Sequence, residues 1–410
     1  MDTPRNRLSL DGAWQLILDP EDVGLREEWF AQGVSNGNGS AWSAFPNETW
    51  ERGITDAVLD VEVPSVWDRW VPDYDGVGWY FRDVTLGEEW AGRVVVLGFE
   101  AADYFAEVWV NGQRVGAHEG GYTPFTFDVS GVVHPGTNRI VVRIVDPHGE
   151  RGYGDFRPEE IPCAKENGYW SFAGIWGSVW LEARPQAHIL DLFVQPDLRR
   201  KRIVVEATAS GGGTLHLQIE GTPHHVQGRL ELGKQEQSLV SEQVLGEAQG
   251  QPVFSERLVL EFPDYELWSP EQPTLYTLHA DLIQEDGALD RVQTRFGMRE
   301  FTVKDKRFHL NQRPFFVKAA LYQPDYARSL AAPESPDAAR REIELAKQAG
   351  FNMLRLHIKP APPIVLELAD ELGMLLYEEP AIGWIKQSPH MRERCEREVR
   401  EMILRDRNHP

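Results

Sequence analysis

Cysteine is nearly missing from this chain: two residues in 410, Cys163 and Cys395, lie far apart. A disulfide framework is therefore not expected. No apolar run approaches the roughly 20 residues that a membrane helix needs. The start, Met1-Asp2-Thr3-Pro4-Arg5-Asn6-Arg7, passes into a polar-interrupted stretch from Leu8 to Leu18 without the apolar core of a secretory signal. The expectation is a cytoplasmic protein with no membrane partner. Positive charge is in deficit, 42 Lys and Arg against 64 Asp and Glu, a formal net charge of −22. Such a balance repels phosphate backbones and argues against nucleic acid as a main partner.

Helical periodicity is also scarce until about residue 301, and what fills that span is β-pattern. Val108-Trp109-Val110-Asn111-Gly112-Gln113-Arg114-Val115 predicts a hairpin, because Asn-Gly supplies the positive φ angles of a type I′ turn. Ile140, Val142 and Ile144 alternate with Val141, Arg143 and Val145, which reads as a strand with one face in a core. The segment 1–184 is expected to be a jelly-roll β-sandwich. From about 185 to 300, Leu215, Leu217 and Ile219 alternate with His216, Gln218 and Glu220 after the Gly211-Gly212-Gly213 loop. A second, immunoglobulin-like β-sandwich is expected there.

After Phe301 the period changes. Ser335-Pro336-Asp337 has the residues of a helix start, with Ser as N-cap, Pro in the first turn and an acid near the positive end of the dipole. Ala339, Ile343 and Ala346 form its apolar stripe, and Gly350 closes it. A strand at 352–357, a helix at 362–373 and a strand at 374–379 follow. Ser388-Pro389 is expected to cap a third helix with Met391, Cys395, Val399 and Met402 inward. The pairs Glu393/Arg397, Glu396/Arg400 and Glu401/Arg405 then lie on a solvated face. Strict strand–helix alternation implies right-handed crossovers and a parallel sheet. Residues 301–410 thus read as three βα units, where a closed (β/α)8 barrel has eight in about 250 residues.

Motifs spread along the chain resemble glycoside hydrolase family 2, the group of bacterial β-galactosidases, β-glucuronidases and β-mannosidases. The resemblance rests on Val63-Pro64-Ser65-Val66-Trp67, Gly78-Trp79-Tyr80-Phe81-Arg82, Val108 to Gly112 and Gly174-Ile175-Trp176-Gly177-Ser178-Val179-Trp180-Leu181. Further on it rests on Leu267-Trp268-Ser269-Pro270, Phe296-Gly297-Met298-Arg299, Leu310 to Phe316, Gly350-Phe351-Asn352, Ala369-Asp370-Glu371-Leu372-Gly373 and the final Arg405-Asp406-Arg407-Asn408-His409-Pro410. It implies a jelly-roll sugar-binding domain, an immunoglobulin-like domain and the start of a catalytic barrel. The implied chemistry is retaining hydrolysis of terminal β-linked sugars, which takes two carboxyl groups about 5 to 5.5 Å apart. In the family the acid/base Glu follows the Asn-His-Pro run and the nucleophile comes much later, so neither catalytic residue is expected within these 410. The expectation is the N-terminal portion of an exo-β-glycosidase, inactive by itself. The competing reading is a non-catalytic carbohydrate-binding or interaction protein with a vestigial half-barrel.

By the same resemblance and by position at strand ends, Arg355, His357, Glu379 and Trp384 are the expected substrate-binding residues. Glu378 and Glu379 point to opposite faces by alternation and do not converge on one bond. For Glu379, anchoring a neighbouring loop is an equal alternative. His357 fills the Ser position of an Arg-x-Ser-His pattern. Gly383 and Ile385 stand where a metal-dependent branch carries Glu and His, so no metal and no cofactor are expected. Gly168, with Glu166 and Asn167 beside it, replaces an Asp that relatives extend into the pocket. His224-His225 has no third ligand at informative spacing. Carbohydrate is the expected partner, and a homo-oligomer is allowed.

Overall fold

A computed structural model describes residues 5–32, 58–147, 153–162, 169–230, 253–285, 287–383 and 385–410. Cys163, Glu166, Asn167, Gly168 and Trp384 lie outside the described residues.

A six-stranded antiparallel sheet faces a four-stranded one in the first part of the chain. Trp14, Leu16, Val63, Tyr80, Val142 and Ile144 from the larger sheet meet Leu97, Phe99, Phe125, Val179 and Leu181 from the smaller in one buried core. The Asn111–Gly112 hairpin forms between Phe105–Val110 and Gln113–Glu119, with φ of 51° and 79° at the two turn residues. The strand Gly136–Asp146 differs from its expected one-sided burial. Val141 and Val145 are as buried as Val142 and Ile144, because Ile17, Trp29, Trp79, Phe81 and Trp109 build a second apolar layer on the outer face. Arg143 is tolerated in that layer because Asp22 at 2.7 Å and Glu107 at 2.8 Å neutralise it.

The second sandwich packs a three-stranded sheet on a four-stranded one. In Gly213–Ile219 the residues Leu215, Leu217 and Ile219 are buried while Gln218 is exposed, so the period of two is realised. Its core also holds Val205, Phe262, Leu278 and Phe296.

The last part contains an open three-stranded parallel sheet, Ala319–Tyr322, Met353–Leu356 and Leu375–Tyr377. Helices Pro336–Gln348 and Pro363–Leu372 cover one face, burying Leu354 and Leu356 with Ile343, Val365 and Ala369. The other face leaves Leu321, Arg355 and Tyr377 side by side in register and exposed. Ser335 caps its helix, accepting from the Ala338 amide at 3.2 Å. Ser388 does not cap the third helix, Met391–Asp406, whose N-cap is His390.

That third helix is the main departure from sequence expectation. Its buried residues are Arg394, Glu398 and Met402, while Met391, Cys395 and Val399 are only partly covered. The surface it docks on explains this: the first sandwich offers charged and polar groups rather than an apolar groove. Arg394 reaches Glu119 at 2.5 Å and the Asp155 carbonyl at 3.0 Å. Arg397 also pairs with Glu119, at 2.8 Å. Glu401 accepts from Thr123 at 2.5 Å and lies 3.3 Å from His118, and Arg405 donates to the Tyr122 carbonyl at 2.8 Å. Glu401, Arg397 and Arg405 are therefore docking residues, not a solvated face.

Candidate functional site

The candidate site lies at the C-terminal end of the parallel sheet, the end at which open α/β sheets bind ligands. Arg355 occupies the central strand, and Glu379 follows the third strand by two residues. Both Nε and Nη2 of Arg355 lie 2.7 Å from Oε1 of Glu379. The other carboxylate oxygen accepts the Ile358 amide at 2.9 Å. Ile358 has φ of 45°, a left-handed conformation unusual for a β-branched residue. Burial pushes the Glu379 carboxyl up, but the hydrogen bonds from Arg355 and Ile358 outweigh it and hold the group below its ordinary value. Glu379 thus fixes the loop that follows the central strand.

Glu378 anchors the same loop from a different side. Its Oε1 accepts the Ala361 amide at 2.7 Å and Arg405 Nη2 at 3.2 Å. Burial first and the Asp406 carboxylate second raise it to about 8. Both effects favour the protonated form of Glu378 beside Asp406. The adjacent glutamates share no partner, as strand alternation requires.

His357 sits where the loop meets the first sandwich. The Tyr169 hydroxyl donates to the His357 carbonyl at 2.6 Å and lies 3.4 Å from Nδ1, with Gln323 Nε2 at 3.3 Å from the same nitrogen. The two rings are tilted at 6.2 Å. Burial, the leading cause, raises the Tyr169 phenol to about 12. Sequence reasoning missed Tyr169, Gln323 and Lys359. Lys359 alone had a local signal, a single cation in the otherwise apolar loop Ile358-Lys359-Pro360-Ala361-Pro362. The structure brings Arg355, Glu379 and His357 onto one loop end.

Elsewhere the picture is structural. His225 Nδ1 contacts the Pro223 carbonyl at 2.9 Å, and the His224 ring packs on Phe262. Among the described residues no group of three His, Cys, Asp or Glu is arranged to hold a metal. A cavity of about 320 Å³ lies under the third parallel strand, lined by Arg299, Asp370, Glu378, Asp406 and His409 among others. His409 and Pro410 border it, next to Asn408 in the chain. Asn408 bonds to the Val194 amide at 2.9 Å and the Leu192 carbonyl at 2.7 Å, and His409 Nδ1 lies 2.5 Å from Asp370.

Comparison with known proteins agrees with this architecture. Residues 8–185 match the family model "Glycosyl hydrolases family 2, sugar binding domain", and residues 187–299 match "Glycosyl hydrolases family 2". A putative β-glucuronidase of Formosa agariphila is 29% identical over 345 residues, covering 83% of this chain and 39% of the relative. A β-galactosidase of Thermoanaerobacter pseudethanolicus is 28% identical, covering 82% of this chain and 44% of the relative. The β-glucuronidase of Rattus norvegicus is 26% identical, covering 100% of this chain and 63% of its own. The solved structure of a β-glucuronidase from Ruminococcus gnavus in complex with D-glucuronic acid superposes with a TM-score of 0.78 at 22% identity, over 100% of this chain and 66% of the other. The chain therefore spans about two fifths of the length of the first of these relatives. Two models of one family, matched in order over residues 8–185 and 187–299, place the chain in glycosyl hydrolase family 2.

Proposed function

We propose that these 410 residues form the sugar-binding part and the first pocket wall of a retaining exo-β-glycosidase acting on terminal β-linked sugars, glucuronides or galactosides. The observation that carries the reading is the loop 357–362, held at the C-terminal end of an open parallel sheet by Glu379 on one side and Tyr169 on the other. In this reading the three parallel strands begin a (β/α)8 barrel, and the exposed row Leu321, Arg355 and Tyr377 faces its interior. Arg355, His357 and Glu379 shape the pocket.

The catalytic acid/base and nucleophile lie outside these residues in this proposal. The carboxylates nearest the sheet end support it: Glu378 and Glu379 are each consumed by loop amides and arginines. The coverage of relatives supports it too, since more than half of their length has no counterpart here. Nitrophenyl β-glucuronide and β-galactoside are the test substrates. The chain 1–410 is expected to bind the parent sugars in calorimetry and to release no nitrophenol. Turnover would overturn the assignment of roles. The coding sequence past Pro410 is a second check: an in-frame Asn-Glu soon after the Asn408-His409-Pro410 run is expected, and an immediate stop codon would remove the proposal's basis.

A further inference from the structure

Three parts of the chain converge on one ring nitrogen at the end of the parallel sheet. His357 Nδ1 faces the side-chain amide of Gln323 at 3.3 Å and the hydroxyl of Tyr169 at 3.4 Å. Gln323 directly follows the first parallel strand and His357 the second, while Tyr169 reaches across from the first sandwich. The Tyr169 proton is already committed, because the hydroxyl donates to the His357 carbonyl at 2.6 Å. Its oxygen can therefore only accept, and Gln323 donates toward it. That fixes the orientation of the Gln323 amide, since its carbonyl oxygen turned the same way would face an acceptor with no proton to give. The group that meets Nδ1 is thus the amide nitrogen, which only donates. Nδ1 must accept, so in the neutral ring the proton sits on Nε2. Nε2 has no partner among the described residues, and it is not enclosed: His357 is only partly buried and Gln323 is exposed.

We propose that Gln323 is a positioning residue that locks His357 as the Nε2–H tautomer, so that the imidazole presents one fixed donor to an oxygen of the bound sugar. The inference rests on the glycosidase reading above and deepens it by naming what His357 does there and which residue makes it do so. The carboxylates beside it are occupied within the protein, Glu379 by Arg355 and the Ile358 amide, Glu378 by Arg405 and the Ala361 amide. His357 adds a neutral donor at the same loop end. A sugar hydroxyl can adapt to either tautomer, whereas a ring or glycosidic oxygen can only accept, so a locked Nε2–H favours an oxygen of that second kind. Fixing ring and proton beforehand also lowers the ordering cost of binding.

Long-range proton–nitrogen correlation spectra of the 410-residue chain, with isotope-labelled histidine, read the tautomer at about pH 8.5, where an ordinary imidazole is neutral. H357A assigns the signal. Native His357 is expected to show a protonated Nε2 and a bare Nδ1, a readout that needs no variant to fold. Q323M, close in size to the native residue, should lose that bias, and Q323E, which offers an acceptor instead, should put a proton on Nδ1. Calorimetry with D-galactose and D-glucuronate supplies the second readout. For whichever sugar binds, Q323M should weaken binding about threefold or more, and H357A at least as much. The double variant should bind no more weakly than H357A, because Gln323 acts through the ring. A native ring protonated on Nδ1, a tautomer unchanged in Q323M, or losses that add in the double variant would overturn this inference and leave the sugar-binding reading intact. Failure of both sugars to bind the native chain would instead overturn the reading on which it rests.

Discussion

Arg355 and Glu379 meet through a single oxygen: both guanidinium nitrogens lie 2.7 Å from Oε1, which leaves Oε2 to the Ile358 amide at 2.9 Å. One carboxylate therefore does two separable things. The ion pair is half exposed on the arginine side, and such pairs contribute about 0–1 kcal/mol. The amide bond restrains a left-handed isoleucine, a conformation that costs about 1–3 kcal/mol unless the surroundings enforce it.

Glu379→Gln keeps an acceptor for Ile358 and removes the charge, so it is expected to cost under about 1 kcal/mol. Glu379→Ala removes both and should cost about 1–2 kcal/mol more. Urea unfolding of the two variants measures the difference. Equal losses would show that the bond to Ile358 does not matter. Because the folded carboxyl is held below its ordinary value, the stability it contributes is present above the unfolded value and is lost as pH falls through the folded one.

Glu398 predicts the opposite slope. It is 2% exposed at the centre of the docked helix, and one of its oxygens has no partner among the described residues. Burial first and Glu401 second raise it to about 8, against Arg405 and Arg397 on its own helix and the Ala381 amide opposite. Its carboxyl also approaches Gly120 beside His118 on the first sandwich. The folded protein holds a proton that the unfolded chain releases near 4.5, so stability is full below that pH and declines up to about 8. Glu398→Gln should flatten the decline and raise the melting temperature at pH 8 by several degrees, with little change at pH 5. Thermal unfolding across that range decides it, and parallel pH profiles for both proteins would refute the assignment.

Asn408 ties the end of the chain to the second sandwich. It bonds an amide and a carbonyl on the strand His188–Asp197, next to the register shift between Ile189 and Asp191. Asn408→Ala should cost about 1–3 kcal/mol for two hydrogen bonds. Asn408→Asp should cost more, because it turns the donor toward Leu192 into a second acceptor. Urea midpoints rank the two.

Gly373 and Gly350 form an internal control. Both have positive φ, 72° and 88°. A Cβ on Gly373 would lie 2.6 Å from the Pro270 carbonyl oxygen, whereas one on Gly350 would meet nothing within 4 Å. Gly350→Ala is expected to cost about 1 kcal/mol for backbone strain alone. Gly373→Ala should cost at least about 2 kcal/mol, since rigid backbone of the second sandwich blocks the methyl group. Similar melting temperatures for the two variants would contradict the close packing at Pro270.

Several features were legible because they are written within a few residues. The Asn111–Gly112 turn, the Ser335 cap and the period of two in Leu215 to Ile219 each express a backbone requirement that neighbouring residue types satisfy. The motif order that marks the family is likewise linear. Ser388 shows the limit of such local signs, for it has the same Ser-Pro pattern as Ser335 and caps nothing.

The sequence by itself determined where strands and helices fall and which family the chain resembles, because backbone dihedrals and hydrophobic period are short-range. Tertiary structure decided which further faces are buried and which charges meet. Val141 and Val145 needed a second apolar layer to be core residues. The helix Met391–Asp406 buries Arg394 and Glu398 because its docking surface is polar. Lys359 comes to lie over Tyr169, 190 positions upstream, only when the parallel sheet packs against the first sandwich. Partners at such separations leave no periodic trace in the chain, since what selects them is complementarity between surfaces that exist only once the fold has formed.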